Sequence, residues 1–306
     1  MTPIVPAGSV VIAYDSSGRS AEALAWGLEQ AVLERRPVDV VRLLNVAEVQ
    51  SAAWIASSGA GGPVLDVLRE GAVADLAAVV GLARLQHPDL RVDGHVIERE
   101  TREGLVELSE SAYLMVLGSH GWGPVGSVLL GSVAAAVTRR AQCPVVVVRP
   151  PADPRLSDAD GTGVLVGVDD TPESTPVIEH AFAQASLRDL PLTVVHCVRD
   201  PASAWAGDSW SLDAQESTQS RDAVLASLTG AAEKHPDVAY TAQVEQGLVT
   251  QNSGDRARPW ALVVVGRHHH SAWHRLMMTS TTTAVLEHAR CPVVVVPEAR
   301  VATGRG

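Results

Sequence analysis

The sequence predicts an α/β protein in which one parallel-sheet domain is written twice. Three observations carry that prediction. First, apolar runs recur in the same order in both halves. Ser9–Asp15 (SVVIAYD) matches Gly163–Asp169 (GVLVGVD), and Val40–Val46 (VVRLLNV) matches Leu192–Val198 (LTVVHCV). Leu114–Gly118 (LMVLG) matches Leu262–Gly266 (LVVVG), and Ala141–Val148 (AQCPVVVV) matches Ala289–Val296 (ARCPVVVV). Second, several of these runs are nearly continuous Val, Ile and Leu, the mark of strands covered on both faces. Third, helical patterns alternate with the strands, as in α/β folds. The interval from Gly118 to Cys143 equals that from Gly266 to Cys291, so the repeat is in register.

Taken in order, the first half has strands near 9–15, 38–46, 90–98, 113–118 and 144–148. Its helices fall near 20–35, 66–86, 102–111 and 131–141, with Ser20 as N-cap of the first. The second half has strands near 163–169, 191–198, 237–245, 260–266 and 292–296. Its third helix, near 249–258, is poorly patterned, because QNSGDRAR carries Gly and Asn and little apolar periodicity. Long Gly/Ser/Ala-rich loops at 47–63 and 199–212 follow the second strand of each half and hold Trp54, Trp205 and Trp210. Residues 149–162 have the Pro/Asp/Gly content of a linker, which sets domains at 1–150 and 160–298.

Composition narrows the function. With 46% hydrophobic and 19% charged residues in 306, the chain can bury large cores. A net charge of −11 argues against a sequence-independent nucleic-acid binder. Lys234 is the only lysine and follows Ala-Ala-Glu, which excludes a Walker A loop. Cys143, Cys197 and Cys291 form no C-x-x-C pair, so neither a disulfide framework nor a structural zinc site is expected. Cys143 and Cys291 read as small core residues. No signal peptide or bilayer-length apolar run is visible, and a cytoplasmic location without membrane contact is expected.

Chemistry concentrates at residues 118–132, GSHGWGPVGSVLLGS, between a strand and a helix. Gly118, Gly121 and Gly131 remove Cβ atoms where an anion must approach backbone N–H groups. Ser132 and Val133 begin a helix whose N–H groups and dipole favour a triphosphate. In the second half, His269 stands where Gly121 stands and Thr279 where Gly131 stands. A β-branched Thr obstructs a phosphate's approach, so little or no phosphate binding is expected there. His268, His269, His270 and His274 fit no standard zinc spacing and read as a solvated basic loop; no metal ligand is assigned.

The doubled β-α-β pattern, Asp15 at a strand end, the Gly118-x-x-Gly121-(nine residues)-Gly131-Ser132 loop and the Ala-x-Cys-Pro-Val-Val-Val-Val strand resemble the universal stress protein family. The resemblance covers nearly the whole chain, as a tandem member. It implies two Rossmann-like (adenine nucleotide alpha hydrolase-like) domains, each a five-stranded parallel sheet of order 3-2-1-4-5 with helices on both faces. It also implies ATP binding where the glycine loop is intact, and pairing through the last strand. Here that pairing gives an intramolecular pseudo-dimer of Val145–Val148 with Val293–Val296, and a homodimer is a further expectation.

For that strand order, ligands bind at the switch point between strands one and four. Ala13, Tyr14 and Asp15 are then expected at the adenine end with Val46, and the resemblance places Asp15 by the adenosine. Leu117 and Gly118 are expected near the ribose, and Ser119, Gly121, Gly131, Ser132 and Val133 around the phosphates. Mg²⁺ is expected between phosphate oxygens, since few carboxylates are at hand. Three readings stand: an ATP-binding regulatory protein of stress response with unknown protein partners, a slow ATPase or autophosphorylating enzyme, and a nucleotide-free scaffold. No catalytic residue is assigned: Ser119-His120 has no orienting Asp, and Ser119, Ser127 and Ser132 are acceptors only.

Overall fold

A computed structural model of the chain describes residues 5–45, 61–119, 130–149, 163–168, 174–198, 214–246, 260–267 and 281–297. The chain divides into two compact units, Met1–Val148 and Arg149–Gly306. Unit 1 runs β1 (Val10–Ala13), α1 (Gly18–Glu34), β2 (Val38–Leu44), α2 (Gly61–Gln86), β3 (Val92–Glu98), α3 (Thr101–Leu108), β4 (Leu114–Gly118), α4 (Ser132–Arg140) and β5 (Val145–Val148). Its strands are parallel in the order β3-β2-β1-β4-β5. Unit 2 runs β6 (Val164–Val168), α5 (Thr175–Arg188), β7 (Leu192–Val198), α6 (Ala214–Lys234), β8 (Tyr240–Gln246), β9 (Leu262–Gly266), α7 (Thr281–His288) and β10 (Val293–Val296). Its parallel order is β8-β7-β6-β9-β10, so each unit has the expected 3-2-1-4-5 sheet.

The strands are buried on both faces because both faces carry helices. Val10, Val11 and Ile12 of β1 have no exposed surface, and Val145–Val148 of β5 are also buried. Each such side chain contributes about 1.5–3 kcal/mol through burial. Helix α1 packs on β1 and β4, while α2 packs on β2 and β3. Gly27 permits the first contact, since a Cβ there would lie 2.6 Å from Ile12 Cδ1. Cys143 and Cys291 are core residues as expected, each 5% exposed.

Several boundaries differ from the sequence reading. α1 begins at Gly18, so its N-cap is Ser17 and not Ser20. α2 begins at Gly61, well before residue 66. α3 stops at Leu108 because Ser109 closes its end, its Oγ donating to Val106 O at 2.5 Å. β8 begins at Tyr240 because His235–Val238 form a turn, with Val238 N donating to His235 O at 3.1 Å. The helix expected near 249–258, the loop 199–212 and residues 47–60 of the loop expected over 47–63 lie outside the described residues, while 61–63 of that loop are helical. No helix among the described residues is long and apolar enough to cross a membrane.

Candidate functional site

In unit 1 the chain leaves the sheet on opposite sides of β1 and β4, so their C-terminal ends border a crevice. Val10–Ile12 pair with Leu114–Val116, which brings Ala13–Asp15 and Leu117–Ser119 to that border together. Ala13, Tyr14 and Asp15 are half-buried there. Leu117 and Ser119 are buried, at 3% and 1% exposed.

Asp15 organises the turn into α1. Its Oδ1 accepts from Ser17 N at 3.0 Å and from Ser17 Oγ at 2.5 Å. Ser17, extended at φ −76°, then caps the helix by accepting from Ser20 N at 3.2 Å. Ser20 Oγ donates back to Ser17 O at 2.9 Å. A cap needs an extended residue just before the first turn, and Ser17 meets that requirement while Ser20 is already helical. Asp15 thus has a structural task at the place expected for the adenosine end.

A second cluster adjoins this turn and escaped the sequence reading. Ser16 lies in the left-handed region at φ 66°. Its Oγ donates to Asp75 Oδ2 of α2. Arg42 Nη1 of β2 donates to Ser16 Oγ and to Asp75 Oδ2, each at 2.6 Å. These residues are far apart in sequence and belong to no motif, so only the fold brings them together. Burial, with Asp75 adding to it, raises the Tyr14 phenol above its usual value, so Tyr14 stays neutral at physiological pH.

The glycine run has a closed neck. Ser119 N donates to Val148 O at 3.2 Å, and Gly131 N donates to Ser119 O at 2.8 Å. Gly131 is the N-cap of α4 at φ −61°, ψ 148°, and makes no side-chain cap bond. The first turn of α4 has no acidic residue, Ser132 is exposed and Val133 half-buried, so backbone donors and a positive dipole end face outward. Gly118 serves packing: a Cβ there would meet Arg19 O at 2.8 Å. Val46, Gly121 and residues 120–129 lie outside the described residues. What is described fits an anionic ligand at the helix start, with an apolar and hydroxyl-lined wall along β1.

Unit 2 repeats the neck with different parts. Arg267 N donates to Val296 O at 2.9 Å, as Ser119 N does to Val148 O. Thr282 Oγ1 donates to Gly266 O at 2.8 Å. By strand register Val38–Leu44, and not Val40–Val46, corresponds to Leu192–Val198, so His196 holds the position of Arg42; it is buried and bonds through Nδ1 to Val168 O at 3.1 Å. Asp169, His268–His270, His274, Thr279 and Ser280 lie outside the described residues. Among the described residues, no group of three or more His, Cys, Asp or Glu could hold a metal ion.

Comparison with known proteins agrees with the repeat. The sequence model described as the universal stress protein family matches residues 7–149 and again 162–297. A universal stress protein of Mycolicibacterium smegmatis is 29% identical over 296 residues, covering 94% of this chain and 96% of the relative. One from Mycobacterium tuberculosis H37Rv is 31% identical over 287 residues, covering 94% and 96%. A crystal structure of a universal stress protein from Archaeoglobus fulgidus aligns with TM-score 0.66 at 14% identity, covering 95% of this chain and 98% of that one. A putative universal stress protein from Pseudomonas aeruginosa aligns with TM-score 0.60 at 16% identity, covering 95% and 94%.

Proposed function

Because the chain belongs to the universal stress protein family, in two copies, we propose that it is an ATP-binding regulatory protein of stress response with one competent site, in unit 1. The observation that carries this reading is the neck of the glycine run. Gly131 N–H bonded to Ser119 O sets an uncapped helix start beside the C-terminal ends of β1 and β4. In the proposal the triphosphate rests on the N–H groups of Ser132 and Val133, with Ser119, Gly121 and Gly131 around it. Adenosine lies along Ala13, Tyr14, Val46, Leu117 and Gly118, with Asp15 holding the turn beside it. Mg²⁺ is held by phosphate oxygens, which agrees with the few carboxylates nearby. The family resemblance and the two valine-rich last strands support an intramolecular pseudo-dimer as part of this reading.

Regulation is favoured over turnover because phosphoryl transfer needs a positioned base or acceptor. Ser119 is 1% exposed, a poor acceptor, and its two backbone groups are engaged in the neck. The test is mass analysis of ligand carried by the purified chain, followed by phosphate release over hours. Retained ATP with negligible release is expected. Turnover abolished by Gly121→His would establish the ATPase, and a chain with neither bound nucleotide nor affinity would leave a scaffold.

A further inference from the structure

Among the described residues nine large apolar side chains are exposed, and five of them stand on one helix, α2. Val67, Leu82 and Leu85 are 68%, 60% and 80% exposed, with Leu68 and Val73 beside them. Gly71, Ala74, Ala77, Ala78 and Gly81 fill the surface between, also exposed. The opposite side of the helix is already used: Ala72, Leu76, Val80 and Ala83 are buried, and α2 packs on β2 and β3. A surface helix ordinarily turns a polar face to water, so an apolar outer face calls for a partner.

The repeat supplies an internal control. Carried over by the Gly118–Gly266 correspondence, Leu76, Val80 and Ala83 become Val224, Leu228 and Ala231 of α6, buried in the same way. The outward Ala74, Ala78, Gly81 and Leu85 become Asp222, Ala226, Thr229 and Glu233, all exposed. The fold therefore does not require an apolar outer face at this helix; unit 1 has acquired one.

We propose that the outer face of α2 is an interface for a second copy of this chain, the two helices lying antiparallel about a two-fold axis. The face is self-complementary in that arrangement. Val67, Gly71, Ala74, Ala78, Gly81 and Leu85 alternate in steps of four and three along about 27 Å of helix. Antiparallel pairing sets Val67 against Leu85 of the second copy, Gly71 against Gly81, and Ala74 against Ala78. Large side chains fill the ends, and small ones let the backbones approach at the centre. The flanks match as well. Leu68 falls beside Leu82 of the second copy, and Glu70 beside Arg84, which is held at its own Val92 O (2.7 Å) and Asp93 (3.1 Å) but keeps a side chain 56% exposed, so two further opposite-charge contacts form by symmetry. Asp75 would face its counterpart near the axis, but Arg42 at 2.6 Å offsets its charge. Arg69 is directed to Glu98 at 3.6 Å. At the end of α2, Val32 of α1 and His87 line a groove of about 600 Å³ that extends the surface.

The test is the mass of the full-length chain by sedimentation equilibrium, without nucleotide. A dimer is expected. Ala78→Arg is expected to lower the mass to that of a monomer, while Ala226→Arg, at the matching place on α6, leaves the dimer intact. Ala77 meets its own counterpart across the axis, so Ala77→Cys is expected to cross-link to itself under mild oxidation, beyond the wild-type background. A monomeric wild type, a dimer that survives Ala78→Arg, or an Ala77→Cys chain that does not cross-link would each overturn the proposal. Melting curves show whether the Arg variants are folded, and the cross-linking result stands without them.

Discussion

Gly118 shows how one residue type can serve two purposes. In sequence it is the first glycine of an anion loop. In the structure its missing Cβ makes room for the Arg19 carbonyl, 2.8 Å from where that Cβ would stand. The blocking atom is backbone and cannot swing aside, so Gly118→Ala is expected to cost about 1–3 kcal/mol, read as a lower melting temperature. An unchanged melt would show that the α1 start is not so closely placed. Ser17→Ala removes the cap and is expected to cost ~1 kcal/mol, whereas the cap assignment to Ser20 predicted the larger loss there. Cys143 gives a pH-dependent prediction. Burial pushes its thiol up from about 9 to about 12. The folded value lies above the unfolded one, so its contribution to stability is complete below pH 9 and is lost as pH rises toward 12. The native chain is therefore expected to resist alkylation at Cys143 at pH 9, and labelling there before unfolding would contradict its burial.

At the scale of elements, α4 is where the two copies part. Its N-cap Gly131 leaves the helix start open, while the matching position in the second copy is Thr279. Gly131→Thr is expected to weaken ATP binding at least tenfold with the melting temperature nearly unchanged, measured by calorimetric titration. Unaltered affinity would mean that the phosphates do not approach this helix start. The elements themselves were legible from the chain, because strands such as Val145–Val148 and Val293–Val296 are uninterrupted apolar runs. The helix starts were less legible. Ser17 and Ser20 are both good caps by composition, and only the extended backbone of Ser17 separates them. The Ser16–Arg42–Asp75 cluster was not legible at all. It depends on a left-handed serine in a turn and on side chains from two elements, β2 and α2, none of which leaves a pattern in sequence.

Across the whole molecule, duplication has kept the architecture and let the surfaces diverge. Both units keep the 3-2-1-4-5 sheet and the backbone bond between the residue after the fourth strand and the end of the fifth. The glycine loop, the Arg42 position and the outer face of the long helix have all changed between copies. The parts kept are those that bury apolar surface, and the altered parts include those proposed to meet the nucleotide and a second copy. Counting ATP sites on the intact chain by isothermal titration calorimetry tests this asymmetry most directly. One site per chain is predicted, lost in Gly131→Thr. Two equal sites per chain, or none, would contradict it.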